Sequence, residues 1–261
     1  MAHPGDESLA LPELPEIVRQ VRARTPARLL AGRAGAAYRT NTQLELREAH
    51  AAARDAVWDE LDLQSAWGAA FVERWNPLEL RTRAHAKEDY LLRPDLGRQF
   101  DETSRTDLAA IDSRCIDLQI AIGDGLSAPA VVAQVPALLP LLDAGAKSRG
   151  WVLGPILVIH HCRVGILNEI GERLEPRVAV LLIGERPGLA TAESLSAYMA
   201  YRPLVGHTDA DRNLISNIHA RGLSAGQAAQ RILNFAAQMM KAEESGYMLR
   251  EETPAIEDSQ P

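Results

Sequence analysis

Three polar segments of the sequence follow apolar runs and contain the residue types from which a binding site can be built. They are "GDGLSA" at 123–128, "HHCRV" at 160–164 and "GERPG" at 184–188. Each apolar run has the length of a buried strand, and ligands of open parallel sheets bind outside the carboxyl ends of the strands. The three segments are therefore the candidate site, and Glu185 is expected at its rim.

The segment "GDGLSA" matches the G-x-G-x-x-A form of the dinucleotide-binding fingerprint. Two features count against a dinucleotide. Asp124 places a negative charge inside the loop that would hold the pyrophosphate, and the next predicted strand ends in His160 and His161 instead of an acidic residue. Asp143 lies at about the right distance along the chain, but in a predicted helix. An independent NAD-type oxidoreductase that uses this loop remains the alternative function, and a satisfied turn aspartate is the structural alternative for Asp124.

The adjacent histidines and Cys162 are candidates for a metal site. Neighbouring side chains of an extended segment point to opposite faces, so His160 and His161 would not bind one ion together. No second ligand cluster with zinc-like spacing accompanies them, and we therefore expect no metal ligand. The sequence also contains neither G-x-S-x-G nor a Walker loop. We expect no catalytic residue in this chain, which would then be either a binding domain or a subunit whose chemistry a partner completes.

Glu185 closes an apolar run and is followed by Arg186, Pro187 and Gly188. The proline and the glycine would fix a turn that presents the carboxylate, and Arg186 could orient it or pair with another subunit. The alternative is a surface ion pair, which contributes well under about 1 kcal/mol.

Strands that alternate with helices position these segments. Apolar runs predict strands at 116–122, 154–159 and 177–184, separated by a helix with Ser127 as its N-cap and a helix at 166–175. This order implies βαβ crossovers and a parallel sheet covered on both faces. The predicted fold class is α/β, with a helical amino-terminal region followed by a Rossmann-like parallel-sheet domain.

The composition changes near residue 112, where an Ala-, Arg- and Glu-rich part with helical spacing ends. We predict a helical region at 1–111, a Rossmann-like domain at 112–250 and a flexible tail at 251–261.

Two predicted helices begin with capping boxes. Thr42 and Glu45 form the first, and Ser224 and Gln227 form the second. The helix after Ser224 is expected to carry an apolar stripe and to end with Gly246 as its C′ residue.

Composition narrows the classes of partner. The formal net charge of −7 argues against nucleic-acid binding. The two cysteines fit a reducing cytoplasm, and no apolar run approaches the roughly 18 to 20 residues of a membrane span. The acidic, proline-rich start is unlike a signal peptide. We expect a cytoplasmic protein with no membrane and no nucleic-acid partner.

Six segments in a fixed order carry a family resemblance. They are "TPARLLAGRAG" at 25–35, "YLLRPDLGRQFDE" at 90–102, "IGDGLSA" at 122–128, "RVGILNEIGERL" at 163–174, "LLIGERPGLATAESLSAYMAY" at 181–201 and "TDADRNLISNIHARGLS" at 208–224. In this order they resemble the small, or light, subunit of ethanolamine ammonia-lyase. The resemblance covers nearly the whole chain.

The resemblance implies a subunit of an adenosylcobalamin-dependent complex that converts ethanolamine to acetaldehyde and ammonia by a radical mechanism. It also implies a large TIM-barrel subunit that holds the substrate, with cobalamin between that barrel and this chain. The family's cofactor contacts fall on Val164, Glu185 and Leu214. The radical chemistry belongs to the cofactor, and the protein supplies position and electrostatics.

Two positions depart from the family pattern. Leu214 stands where the family commonly has a cysteine, and Cys162 stands where the family has a glycine. Leucine cannot donate a thiol hydrogen bond, so we expect backbone or apolar contact at Leu214. The motif D-x-H-x-x-G is absent, and no histidine is expected as a cobalt ligand. Some family members have a long extension before "TPAR" that could direct them to a bacterial microcompartment. Only about two dozen residues precede "TPAR" here, so we expect a free cytoplasmic protein, with a microcompartment as the alternative.

Overall fold

A computed structural model of the 261-residue chain describes residues 15–24, 32–113, 115–188 and 190–251. The chain forms two compact units, one up to Glu48 and one from Ala49. The change of composition at residue 112 falls within the second unit. Most of "TPARLLAGRAG" and, apart from Glu251, the predicted tail lie outside the described residues.

The first unit contains helix α1 (Glu16–Ala23) and the antiparallel hairpin of β1 (Arg33–Ala34) and β2 (Ala37–Tyr38). Helix α2 (Thr40–Trp58) begins in this unit.

The predicted N-cap at Thr42 is wrong. Helix α2 begins at Thr40, and the backbone N–H of Gln43 donates to the carbonyl of Arg39 at 3.0 Å. The first intrahelical bond therefore starts at Arg39, because the chain turns into the helix directly after β2. Thr42 lies inside the first turn.

The second unit combines helices with a six-stranded sheet. Its further helices are α3 (Leu63–Trp75), α4 (Lys87–Leu92), α5 (Glu102–Ala109), α6 (Ala128–Ser148), α7 (Ile166–Leu174) and α8 (Ala225–Ala242). Its strands are β3 (Leu78–Arg81), β4 (Leu118–Gly123), β5 (Leu157–His160), β6 (Val178–Gly184), β7 (Leu195–Tyr201) and β8 (Asn213–Ile218).

The strand order in the sheet is β3-β5-β4-β6-β7-β8. The first four strands are parallel, and β7 and β8 run antiparallel to their neighbours. Helices α6 and α7 connect β4, β5 and β6, which confirms the predicted βαβ crossovers and a mixed α/β fold with a mostly parallel sheet. Strands β3, β7 and β8 were not predicted, and β3 lies in the part of the chain that was predicted to be helical.

Apolar layers cover both faces of the sheet. One layer contains buried residues of α6 and α8, and the other contains buried residues of α5 and α7. The expected stripe of α8 is buried at Ala228, Ile232, Phe235 and Met239. Burying a large aliphatic or aromatic side chain contributes about 1.5 to 3 kcal/mol, so these layers hold the helices on the sheet.

The predicted caps of α6 and α8 are confirmed at their amino ends. The hydroxyl of Ser127 accepts a hydrogen bond from the N–H of Ala130, and Ser224 and Gln227 form the capping box. The carboxyl end differs, because α8 ends at Ala242 and Glu243 takes the left-handed conformation with φ 55°. Gly246 is therefore not the C′ residue.

Helix α6 is the one helix in the described part of the chain whose length and composition would suit a membrane span. The sequence-based expectation did not anticipate it. Its apolar side is buried against the sheet and α8, where Val131, Leu138 and Leu142 have no exposed surface. This is the packing of a core helix.

Candidate functional site

The three predicted polar segments meet at one edge of the sheet, as expected for the carboxyl ends of parallel strands. The N–H of Leu126 donates to the carbonyl of Gly184 at 3.1 Å, which joins the loop after β4 to the end of β6. The N–H of Asp124 donates to the carbonyl of Ile159 at 3.4 Å, which joins the same loop to β5. The loop after β4 therefore lies at the centre of this edge.

The carboxylate of Asp124 points into the protein and is 1% exposed. Its two oxygens accept hydrogen bonds from the backbone N–H groups of His161 and Cys162, each at 2.9 Å. The ammonium of Lys87 lies 3.7 Å from one of these oxygens and is also buried. Two charge-assisted hydrogen bonds and an opposite charge compensate the buried carboxylate. Asp124 is the satisfied turn aspartate that the sequence offered as the structural alternative.

Close packing, and not an open cradle, explains the glycines of "GDGLSA". A Cβ at Gly123 would lie 2.7 Å from the sulfur of Cys162. A Cβ at Gly125, where φ is +58°, would lie 2.4 Å from the carbonyl oxygen of Gly184. The loop is filled by its neighbours, and its carboxylate occupies the interior, so the geometry does not support an NAD-type oxidoreductase.

His160 and His161 line the same cavity, of about 280 Å³, which also includes Glu79 and Asp124. The expectation that they face opposite sides is wrong, because β5 ends at His160 and His161 has a φ of 55°. His160 Nε2 lies 3.1 Å from Glu79 Oε2, and His161 Nδ1 lies 2.9 Å from the carbonyl oxygen of Ala84. Among the described residues, no group of three or more His, Cys, Asp or Glu side chains has the arrangement of a metal site.

Tyr90, from the segment "YLLRPDLG", holds the loop that follows β5. Its hydroxyl donates to the carbonyl of Cys162 at 3.1 Å, and the guanidinium of Arg163 lies over its ring at 4.1 Å. The N–H of Arg163 donates to the carbonyl of Gly97 at 2.8 Å. Burial raises the pKa of the Cys162 thiol well above its ordinary value, and Asp124 raises it further. Cys162 is therefore a neutral packing residue at this position.

Val164 follows this loop and lies at the border of a larger groove. The groove has a volume of about 1060 Å³. We call it the arginine groove, and its lining includes Arg98, Arg163, Val164, Asn168, Tyr198 and Arg212. Val164 is half-buried and packs against the core layer of α5 and α7. It therefore presents an apolar surface at the mouth of a polar groove.

Glu185 is half-buried and has a specific structural role. Its Oε1 accepts hydrogen bonds from the hydroxyl of Ser196 at 2.6 Å and from the backbone N–H of Asn217 at 3.0 Å. Asn217 has a φ of 59° and lies in a bulge of β8. Ile215 pairs with Ala197 and Ile218 pairs with Leu195, so β8 has one more residue than β7 between these two pairs. Bulges often re-aim side chains near binding sites. Glu185 thus fixes the irregular part of β8.

Arg186 does not orient Glu185. Its side chain is exposed, and it makes no hydrogen bond or ion pair with the described residues. The turn beyond it is closed by the N–H of Gly188, which donates to the carbonyl of Thr191 at 3.1 Å. Leu189 lies outside the described residues.

Leu214 lies on β8, the edge strand, and is 47% exposed. It pairs directly with Tyr198, so the two side chains share one face of the sheet. Ser196, the partner of Glu185, is two residues from Tyr198 and faces the same side. The structure thus brings Glu185 and Leu214 to one sheet face, and Tyr198 connects that face to the groove at Val164.

Sequence reasoning missed Tyr198, Ser196 and Asn217. The alternation in "LSAYMAY" was the available signal for a strand with one polar face. Burial raises the pKa of Tyr198, and the charges of Asp209 and Glu185 raise it further. Its hydroxyl therefore stays protonated at neutral pH.

These features define a mixed α/β protein whose candidate site is an open sheet face beside a groove. A family model described as "Ethanolamine ammonia-lyase light chain (EutC)" matches residues 15–250. The chain therefore belongs to the family of ethanolamine ammonia-lyase light chains, which confirms the resemblance seen in the six segments. Its members are subunits of a lyase.

Curated relatives agree with this assignment. An ethanolamine ammonia-lyase small subunit of Clostridium acetobutylicum is 40% identical over 238 residues, which cover 90% of this chain and 95% of the relative. The small subunit of Pseudomonas paraeruginosa is 41% identical over 254 residues, covering 96% and 91%. The small subunit of Clostridium perfringens is 40% identical over 235 residues, covering 90% and 78%.

Replacing Asp124 by asparagine should destabilise the fold strongly. One backbone N–H would then face an amide nitrogen, and Lys87 would keep a buried charge without its partner. We expect the free energy of unfolding, measured by urea denaturation, to fall by about 3 to 5 kcal/mol. Lys87→Met in the Asp124→Asn background should recover part of this loss, because it removes the uncompensated charge. Strictly additive losses would show that the two groups do not interact.

Proposed function

We propose that this chain is the small subunit of an adenosylcobalamin-dependent ethanolamine ammonia-lyase, with the second unit as its Rossmann-like cobalamin-binding domain. It would help to hold cobalamin against a large catalytic subunit, in a hetero-oligomer that converts ethanolamine to acetaldehyde and ammonia. The observation that carries the proposal is the common sheet face of Glu185 and Leu214, which Tyr198 links to Val164. The names of the relatives, which describe a small subunit, support a large partner.

The residues of this face fit the chemistry of cobalamin. Its corrin is a broad ring with apolar faces and amide side chains at its rim. Val164 and Leu214 offer apolar surface, and Glu185 uses one carboxylate oxygen within the protein, which leaves Oε2 as an acceptor. A buried amide donor without an acceptor costs about 1 to 3 kcal/mol, so this oxygen favours a rim amide or a nucleotide hydroxyl.

The same face indicates what the cofactor would supply and what this chain would supply. When bound, cobalamin supplies the radical chemistry. This chain's residues supply position: Glu185 is held by Ser196 and by the bulge of β8, and Val164 by the loop that Asp124 anchors. We propose that the substrate site and the catalytic residues belong to the large subunit.

A large partner would also cover apolar surface near the groove. Leu204 is 51% exposed, and Val205, which lines the groove, is 64% exposed. Apolar side chains gathered at a groove are typical of interaction sites. Cytoplasmic residence, with a microcompartment as the alternative, stays a prediction.

Reconstitution tests the proposed function directly. The chain would be produced alone and together with the large subunit of a relative, and ammonia release from ethanolamine would be measured with added adenosylcobalamin. We expect activity only from the complex, because the chain alone lacks the proposed substrate site. Ammonia release by the isolated chain, or no activity and no cobalamin retention by an assembled complex, would contradict the proposal.

A second experiment separates the two roles of Glu185. In Glu185→Gln the side-chain carbonyl still accepts from Ser196 and Asn217, but an NH₂ donor replaces the free oxygen. We expect unchanged thermal stability and assembly, and about tenfold weaker cyanocobalamin binding by the complex in equilibrium dialysis. Glu185→Ala should lose stability as well, by about 1 to 3 kcal/mol, because the N–H of Asn217 loses its partner.

Glu193→Gln is the matched control, since Glu193 is an exposed carboxylate in the same connection between β6 and β7. It should change neither stability nor binding. Wild-type affinity in Glu185→Gln would remove Glu185 from the cofactor site.

A further inference from the structure

The arginine groove has positive charge that its own carboxylates do not neutralise. The carboxylate of Glu169 forms ion pairs with Arg105 at 2.6 Å and with Arg173 at 3.2 Å, and it accepts a hydrogen bond from the backbone N–H of Phe100 at 2.8 Å. Asp95 pairs with Arg93 at 2.7 Å, and Asp209 pairs with Arg212. Glu172 is the one acidic lining residue that has no partner within the described chain, and it is exposed, one turn of α7 beyond Asn168.

Arg98 is an exposed cation of the groove, whereas Arg163, which also has no carboxylate partner in the described chain, lies over the ring of Tyr90. The side chain of Arg98 is exposed and has no carboxylate partner among the described residues. Its stem packs on Gly165, where an added Cβ would lie 2.9 Å from Arg98 Cγ. The glycine thus lets the stem lie flat on the start of α7, which limits the positions of the guanidinium.

Arg212 also lines the groove, and its charge is paired with Asp209. Its side chain is only 4% exposed, and one of its nitrogens donates to Asn168 Oδ1 at 2.7 Å. Burial lowers the pKa of Arg212, against the opposing effects of Asp209 and Asp211. Arg212 is therefore a fixed, already paired group of the groove, and Arg98 is the one left to bind a ligand.

Two neutral donors face the same groove. The hydroxyl of Tyr198 has no hydrogen-bond partner within the described ranges, and its raised pKa keeps the proton in place. The Nδ1 atom of His207 accepts from the N–H of Leu204 at 3.3 Å, so Nε2 is the ring nitrogen that can donate.

We propose that the arginine groove binds a phosphate group, which accepts hydrogen bonds from Arg98, Tyr198 and His207. A guanidinium with neighbouring neutral donors suits the several oxygens of a phosphate, whereas a neutral amide would need no cation. Val164 lines the groove, so one source is the phosphodiester in the nucleotide part of cobalamin. This source rests on the proposed function. Free inorganic phosphate is the other source.

The test uses Arg98→Gln, which keeps the stem that packs on Gly165 and removes the charge. Arg98→Lys restores the charge without the planar donor group. Arg231→Gln is the control, because Arg231 lies on α8, at the opposite sheet face, and pairs with Glu251. Binding of cyanocobalamin and of dicyanocobinamide, which lacks the nucleotide and its phosphate, is measured with the complex. Binding of inorganic phosphate is measured with the full chain alone.

With the cofactor as source, Arg98→Gln weakens cyanocobalamin binding about tenfold, leaves dicyanocobinamide unchanged, and Arg98→Lys recovers part of the loss. Loss of inorganic phosphate binding with unchanged cobalamin affinity supports the site with free phosphate as its ligand. Equal affinities of wild type and Arg98→Gln for all three ligands overturn the proposal, and so does an equal loss for cobalamin and cobinamide. A wild-type complex that binds no cobalamin overturns the proposed function, and the phosphate measurement then decides this proposal alone.

Discussion

The buried carboxylate of Asp124 fixes the arrangement on which the site depends. It accepts from two successive backbone N–H groups of the loop after β5, and that loop leads directly to Val164 and α7. The left-handed conformation of His161 turns both N–H groups toward the carboxylate. Glycines at 123, 125 and 184 let the three strand-end loops touch, so the loop after β4 is filled by its neighbours. We propose that binding occurs beside this packed loop, on the α7 side.

The carboxylate of Glu185 fixes the α7 side of the sheet, again by accepting a hydrogen bond from a backbone N–H. Glu185 follows β6 directly and reaches across β7 to the bulge of β8, where it accepts a hydrogen bond from the N–H of Asn217. The result is a sheet face with apolar positions at Val164 and Leu214, a free carboxylate oxygen, and a groove with positive charge. Such a face is open to solvent on one side. This geometry supports our proposal that the chain encloses a ligand together with a partner.

The sequence predicts the central strands of the sheet better than the strands toward its edges. Strands β4, β5 and β6 are buried on both faces, so they appear as continuous apolar runs that periodicity detects. Strand β3 has four residues with only Leu80 buried, and polar residues interrupt the apolar residues of β7 and β8, so their signals are weaker. Glu185 was found because a charge directly after an apolar run is unusual. Its partners Ser196 and Asn217 lie 11 and 32 residues away, and pairing at that distance depends on the tertiary fold.

We propose that cobalamin lies against the α7 side of the sheet at its strand-end edge. A structure of the complex of this chain and a large subunit with bound cyanocobalamin would test this. We expect the corrin in contact with Val164 and Leu214, and a cofactor donor within about 2.7 to 3.2 Å of a Glu185 oxygen. Cobalamin bound on the α6 and α8 side, or away from all three residues, would contradict it.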